Sequence, residues 1–81
     1  MKTEDRVKKV LIENALKGID SDELTLDSEL IEYGVGLDSV ATLELVVALE
    51  QEFKVHLDED ELTADVFDTI KSISKHIEKN L

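Results

Sequence analysis

Gly36-Leu37-Asp38-Ser39-Val40-Ala41-Thr42-Leu43-Glu44-Leu45-Val46-Val47-Ala48-Leu49-Glu50-Gln51-Glu52-Phe53 is the stretch whose reading decides the fold of this chain. It sets a serine at the mouth of a strongly apolar helix expected over 39–53. A hydroxyl there lies at the positive end of the helix dipole, beside backbone N–H groups with no intrahelical partner. That setting suits a phosphate group, including one joined to the serine as a phosphodiester. Asp38 or Ser39 also suits the plainer role of N-cap, since both residue types are favoured there.

The helix is apolar nearly all round, the pattern of a buried helix. At 100° per residue, Leu45, Val46, Leu49 and Phe53 fall on one side and are expected in the core. Glu44 and Gln51 mark the opposite side, and Val40, Ala41, Val47 and Ala48 flank that narrow polar line. Left uncovered by the first helix, these four form an exposed apolar strip edged by carboxylates. Such a mixed strip suits transient docking, because the charges orient a partner and the apolar groups hold it.

Upstream, Val7, Val10, Leu11 and Ala15, widened by Ile12 and Leu16, give the period of an amphipathic helix over 3–16. Glu4 and Asp5 favour its first turn, and Gly18 sits where it would stop. A connection of about twenty residues follows, long for a compact domain. Ile19, Leu24, Leu26, Leu30, Ile31, Tyr33, Val35 and Leu37 predict that it packs across the helices rather than hanging free. Asp27 and Ser28 are placed to cap a short turn around Leu30, and Gly34 and Gly36 give the backbone freedom to enter the next helix. Downstream, Asp58-Glu59-Asp60-Glu61-Leu62 reads as a short capped turn with Glu61 in capping-box register. Asp65 is the expected cap of a last helix carrying Val66, Ile70, Ile73 and Ile77, with Lys75, His76 and Lys79 near its end. The expectation is all-α: a four-helix bundle of three longer helices and one short one, with a long packed loop between the first two.

The chain has 81 residues, enough for one domain over 1–81 that buries roughly 60% of its unfolded surface. Hydrophobic residues make up 42% but aromatics only 4%, so the core is aliphatic. Twenty acidic against nine basic residues leave a formal net charge of −11. That surface repels nucleic acid and anionic membranes and attracts basic protein patches; it also favours a monomer. No targeting or membrane-spanning segment is visible, so a cytoplasmic location is expected.

Without cysteine there is neither a disulfide framework nor a thiolate metal site, and thiol chemistry requires a thiol supplied by a cofactor. Two aspartate pairs, Asp20-x-Asp22 and Asp58-x-Asp60, begin like calcium loops. Both fail, with Thr25 or Thr63 in place of the sixth-position glycine and Ile31 or Thr69 in place of the twelfth-position glutamate. A serine hydrolase is set aside because Ser39 lacks a G-x-S-x-G elbow. The two histidines are expected at a loop edge (His56) and on a solvated helix face (His76). No catalytic residues and no metal site are assigned.

The stretch 36–53 resembles the signature and second helix of acyl carrier proteins: D-S at Asp38-Ser39, E-L at Glu44-Leu45, A-L-E at Ala48-Leu49-Glu50, then Phe53. With lower specificity the resemblance extends over nearly the whole chain. It implies that Ser39 takes a 4′-phosphopantetheine arm from coenzyme A through a phosphopantetheinyl transferase, with Asp38 as the adjacent cap. The arm's thiol would carry acyl groups as thioesters for fatty acid or related acyl biosynthesis. Acyl-loading and acyl-processing enzymes with basic patches would dock on Val40, Glu44, Val47 and Glu50. By helical phase, Leu45, Val46, Leu49, Phe53, Leu62, Val66 and Ile70 would line an acyl-chain pocket.

Departures from the fatty-acid-synthesis pattern bear on pathway rather than on Ser39. Ala41 and Gln51 stand where acidic residues are common, the approach is Tyr33-Gly34-Val35-Gly36-Leu37, Lys54 and His56 follow the helix, and the usual loop proline is absent. They point to a stand-alone, specialised carrier. An aminoacyl, polyketide or nonribosomal-type carrier shares the same serine and arm, and an unmodified acidic adaptor shares the same fold.

Overall fold

The computed structural model describes residues 2–14, 16, 18–33, 35, 39–63 and 65–81. Among the described residues there are three α-helices: α1 (Thr3–Asn14), α2 (Ser39–Phe53) and α3 (Ile70–Lys79). Single 3-10 turns at Ser21–Glu23, Leu30–Tyr33 and Glu59–Glu61 punctuate the connections. The all-α expectation holds, while the expected short fourth helix is the three-residue turn Glu59–Glu61. No helix among the described residues is long and apolar enough to cross a membrane. Ala15, Gly34, Gly36, Leu37 and Asp38, given roles above, lie outside the described residues.

α1 places Val7, Val10 and Leu11 on its buried face and packs against both α2 and α3. The apolar pattern runs on to Leu16, which lies outside the helix. The Asn14 side chain donates to Val10 O (2.9 Å), and the Leu16 N–H reaches back five residues to Leu11 O (2.8 Å). Both bonds satisfy last-turn carbonyls, and Gly18 at φ +91° then turns the chain away. Leu16 still packs inside, 2% exposed.

The connection to α2 is packed in part. Leu24, Leu30 and Val35 are buried, with Ile19 and Tyr33 half-buried against them. Leu26 and Ile31, expected inside, are exposed instead. The reason is backbone pairing: Leu30 N–H donates to Asp68 O (2.9 Å) and Lys71 N–H to Leu26 O (3.1 Å). These two bonds fix the loop beside the start of α3 and leave Leu26 and Ile31 at the surface. Ser28 meets Thr25 rather than Leu30: its hydroxyl accepts from Thr25 N (3.0 Å).

α2 matches its expected bounds, with Leu45, Val46, Leu49 and Phe53 buried. Arg6 of α1 braces its end. The Arg6 guanidinium donates to Glu52 Oε2 (3.0 Å) and Glu52 O (2.7 Å) and lies 4.3 Å from the Phe53 ring centroid. Past the helix, Lys54 adopts φ 55°, and Val55 N–H reaches Glu50 O (3.2 Å). A side chain in that left-handed conformation is strained where glycine would be free.

The last helix begins five residues after Asp65. Thr69 is its N-cap: Ser72 N–H donates to Thr69 Oγ1 (3.1 Å), and Thr69 N–H donates to Ser72 Oγ (3.0 Å). That reciprocal pair satisfies two terminal donors, whereas 65–68 is turn and bend, with Val66 N–H meeting Thr63 O and Asp68 N–H meeting Asp65 O. Val66 is therefore outside the helix. Phe67, unassigned by pattern, is buried. Ile70, Ile73 and Ile77 form the inward stripe, each at most 1% exposed. His76 corrects a second expectation: it is 7% exposed, not solvated, and its Nε2 stands 3.8 Å from Glu61 Oε2. α3 is covered beyond its isoleucine stripe, so the flank carrying His76 is enclosed too.

Candidate functional site at the start and outer face of α2

Ser39 is the first residue of α2, as its backbone shows. The first turn of α2 carries no acidic residue, whereas that of α1 carries Glu4 and Asp5. The start of a helix carries a partial positive charge that favours an anion. The position fits a phosphodiester on electrostatic grounds.

Along the outer face, Val40 is 66% exposed, Leu43 53% and Val47 44%. Ala41, Glu44 and Gln51 are exposed beside them, while Ala48 is half-buried against the core. The first helix leaves most of the strip uncovered. Leu43 was missed by the sequence reading, although its spacing, three after Val40 and four before Val47, is the signal that places it there.

Glu50 sits apart from the other three proposed docking residues. Its Oε2 accepts from Leu57 N (2.8 Å) and lies 3.3 Å from His56 Nδ1, with the side chain only 26% exposed. This carboxylate anchors the turn after α2. His56 is at an exposed loop edge, as expected.

Two clefts flank the helix. The first, about 420 Å³, opens beside Thr42 and is floored by Val35 and Phe67. Ile31 and Leu62 add apolar walls; Thr63, Asp65 and Asp68 supply the polar ones. The second, also about 420 Å³, lies where Leu43, Val46 and Val47 meet Leu57, with Glu50, Asp58 and Asp60 at its edge. Of the seven residues assigned to an acyl pocket, Leu62 lines the first cleft and Val46 the second. Leu45, Leu49 and Ile70 are closed to solvent, Phe53 is buried, and Val66 is half-buried against the core.

Comparison with known proteins agrees with this geometry. Residues 9–77 match the family described as the phosphopantetheine attachment site. The solution structure of a holo acyl carrier protein from Nitrosomonas europaea superposes with a TM-score of 0.83 at 30% identity, covering 98% of this chain and 95% of that one. The fold is also similar to a structure described as an engineered Bradyrhizobium japonicum glycine:[carrier protein] ligase complexed with a carrier protein from Agrobacterium tumefaciens and ATP. That match has a TM-score of 0.77 at 21% identity and covers 95% of this chain and 97% of that one.

Proposed function

The chain belongs to the phosphopantetheine attachment-site family, and on that premise we propose that it is a carrier protein whose Ser39 holds the arm and whose α2 presents the cargo to partner enzymes. Its cofactor is covalently attached 4′-phosphopantetheine. When bound, the arm supplies the terminal thiol that a chain without cysteine lacks, and with it a thioester linkage for acyl groups.

The observation that carries the reading is Ser39 as the first residue of α2, ahead of a first turn free of carboxylates, within the matched residues. Ser39 contributes the hydroxyl esterified to the phosphate, and Asp38 is the proposed adjacent cap. The helix terminus offsets the phosphodiester charge. Val40, Leu43 and Val47 provide an apolar docking surface, and Glu44 orients basic partners: a phosphopantetheinyl transferase first, then acyl-loading and acyl-processing enzymes. Glu50, also proposed for docking, would contribute mainly by holding the 54–57 segment in place. Tethering keeps a cargo at high effective concentration through successive reactions, so the chain needs no catalytic group of its own.

Fatty acid or related acyl biosynthesis is the proposed setting, in the cytoplasm and as a monomer. An aminoacyl carrier is the second reading; it is favoured by Ala41 and Gln51 in place of acidic residues and by the ligase-bound carrier among similar folds. Incubation with coenzyme A and a broad-specificity phosphopantetheinyl transferase, followed by intact-mass measurement, tests the carrier function. One added phosphopantetheine is expected, and Ser39→Ala should abolish it while leaving the fold intact. Addition to the alanine variant would overturn the site, and no addition to the folded wild type would favour an unmodified adaptor.

A further inference from the structure

Opposite its isoleucine stripe, α3 carries a line of charge that the stability of the helix does not explain. Lys71, Lys75 and Lys79 follow one another at four-residue spacing, so they climb one side of the helix about 6 Å apart. All three are exposed, and none has an ion-pair partner among the described residues. Lys71 stands in the first turn, where the helix dipole disfavours a cation, and that turn holds no acidic residue to offset it. Each lysine also repels the next, since like charges four residues apart destabilise a helix. Of the three, Lys79 alone is well placed for the dipole, in the last turn. A local rule broken without local compensation points to a use outside the helix.

Charge is divided along the whole chain. Sixteen of the twenty acidic residues lie within 18–69 beside a single basic one, Lys54; the other eight basic residues lie in the flanking segments that contain α1 and α3. Those of α1 make no such line: Arg6 is taken up by Glu52, and Lys8 and Lys9 share a groove with Asp5 and Glu13. At the head of the α3 line stands Leu26, whose carbonyl accepts from Lys71 N–H (3.1 Å) and which is 41% exposed. A membrane or a nucleic acid, negative over a wide surface, is repelled by the acidic bulk of the molecule. A narrow acidic segment meets α3 alone, and physiological salt screens the exposed carboxylates lying more than about 8 Å away. An acidic helix with carboxylates at the same four-residue spacing matches the lysines, and an apolar side chain one turn beyond them rests on Leu26. We propose that Leu26, Lys71, Lys75 and Lys79 form a second docking surface, separate from the outer face of α2, for an acidic helical segment of a partner protein. Its polarity is the reverse of that at Glu44, so the two surfaces select different partners.

The test uses the full chain without an arm and a synthetic helical peptide of alanine and glutamine. The peptide carries three Glu at four-residue spacing and a Leu one turn beyond; its twin has Gln for each Glu. Titration followed by backbone amide resonances should move the signals of Leu26, Lys71, Lys75 and Lys79 with the Glu peptide and not with its twin. Lys71→Gln/Lys75→Gln should weaken binding about tenfold, the worth of two exposed ion pairs. The same variant should melt at a higher temperature, because a cation leaves the helix start and a like-charge pair is lost. Lys8→Gln/Lys9→Gln should leave binding nearly unchanged, and Leu26→Ala should weaken it by an amount that added salt does not reduce. Equal weakening by the two lysine variants, shifts centred on α2, or no binding of the Glu peptide would overturn the proposal. A lower melting temperature would show that the lysines serve the fold and would overturn it too. So would self-association in sedimentation that the α3 variant abolishes, or tighter binding to phosphatidylserine vesicles than to the peptide, since these assign the surface to a second copy or to a membrane.

Discussion

α3 keeps its apolar residues on an inward stripe and closes its first turn with its own side chains; α2 is apolar on nearly every side and brings no carboxylate to its first turn. In α3, Thr69 and Ser72 satisfy each other's backbone donors, and Ile70, Ile73 and Ile77 are sealed from water. In α2, Leu45 and Leu49 are equally sealed, yet Val40, Leu43 and Val47 face outward. Burial of the inner face stabilises both helices. Of the two, α2 holds apolar surface in reserve, and it does so next to the helix start proposed above to carry the prosthetic arm. The difference teaches that α3 is a strut and α2 a strut with a second, outward task.

The sharpest way to break this comparison is to cut the strut. Ile73→Ala should destabilise the fold by about 2–5 kcal/mol, because deletion of a sealed side chain adds a cavity to the lost transfer energy. Chemical denaturation reads the difference. A loss under about 0.5 kcal/mol, typical of surface positions, would mean that α3 is not the strut described.

His76 sharpens the picture with the opposite sign. Its Nε2 is buried without a hydrogen-bond partner among the described residues, since Glu61 Oε2 at 3.8 Å is beyond bonding range. His76→Phe fills similar space without leaving that atom unsatisfied, so it should raise stability by about 1–2 kcal/mol. A clear decrease in the denaturation midpoint would show instead that His76 and Glu61 pair closely in solution. The cap is next in size. Thr69→Ala should cost about 1 kcal/mol, and Thr69→Ser should recover most of it. An equal loss in both variants would assign the effect to packing of the threonine methyl rather than to the hydroxyl.

The same contrast explains what the sequence disclosed. α2 was legible to both ends because its apolar run is continuous and Ser39 marks the start. The isoleucine stripe of α3 was legible as period, but not its first residue. Asp65 and Thr69 are both acceptable caps, and the choice was made by Ser72, whose hydroxyl bonds back to the Thr69 N–H and also lies 2.8 Å from Val66 O. Leu26 and Ile31 read as core because composition carries no register; long-range bonds from Leu30 and Lys71 set which loop residues turn inward. His76 was misplaced for a related reason, since residue type gives no sign of how widely a helix is enclosed. Glu50 looked like a surface carboxylate until the left-handed turn at Lys54 brought Leu57 N–H back to it. In each case local pattern gave the element and tertiary pairing gave the side chain's role.

Leu43 supplies the smallest stability effect and the most direct probe of the outward task. At 53% exposure it contributes little to the core, so Leu43→Ala should change stability by no more than about 0.5 kcal/mol. The same substitution shortens the apolar ridge between Val40 and Val47, so it should slow modification by a phosphopantetheinyl transferase at sub-saturating carrier concentration. Glu44→Lys is the matched charge control: its effect should shrink as salt rises, because screening weakens steering between exposed charges. The Leu43 effect should persist in salt, because burial of a side chain against a partner is not screened. If Leu43→Ala destabilised the fold as Ile73→Ala does, the outer face of α2 would belong to the core. If neither stability nor modification changed, partners would have to reach Ser39 across another surface, and the contrast between the two helices would lose its functional meaning.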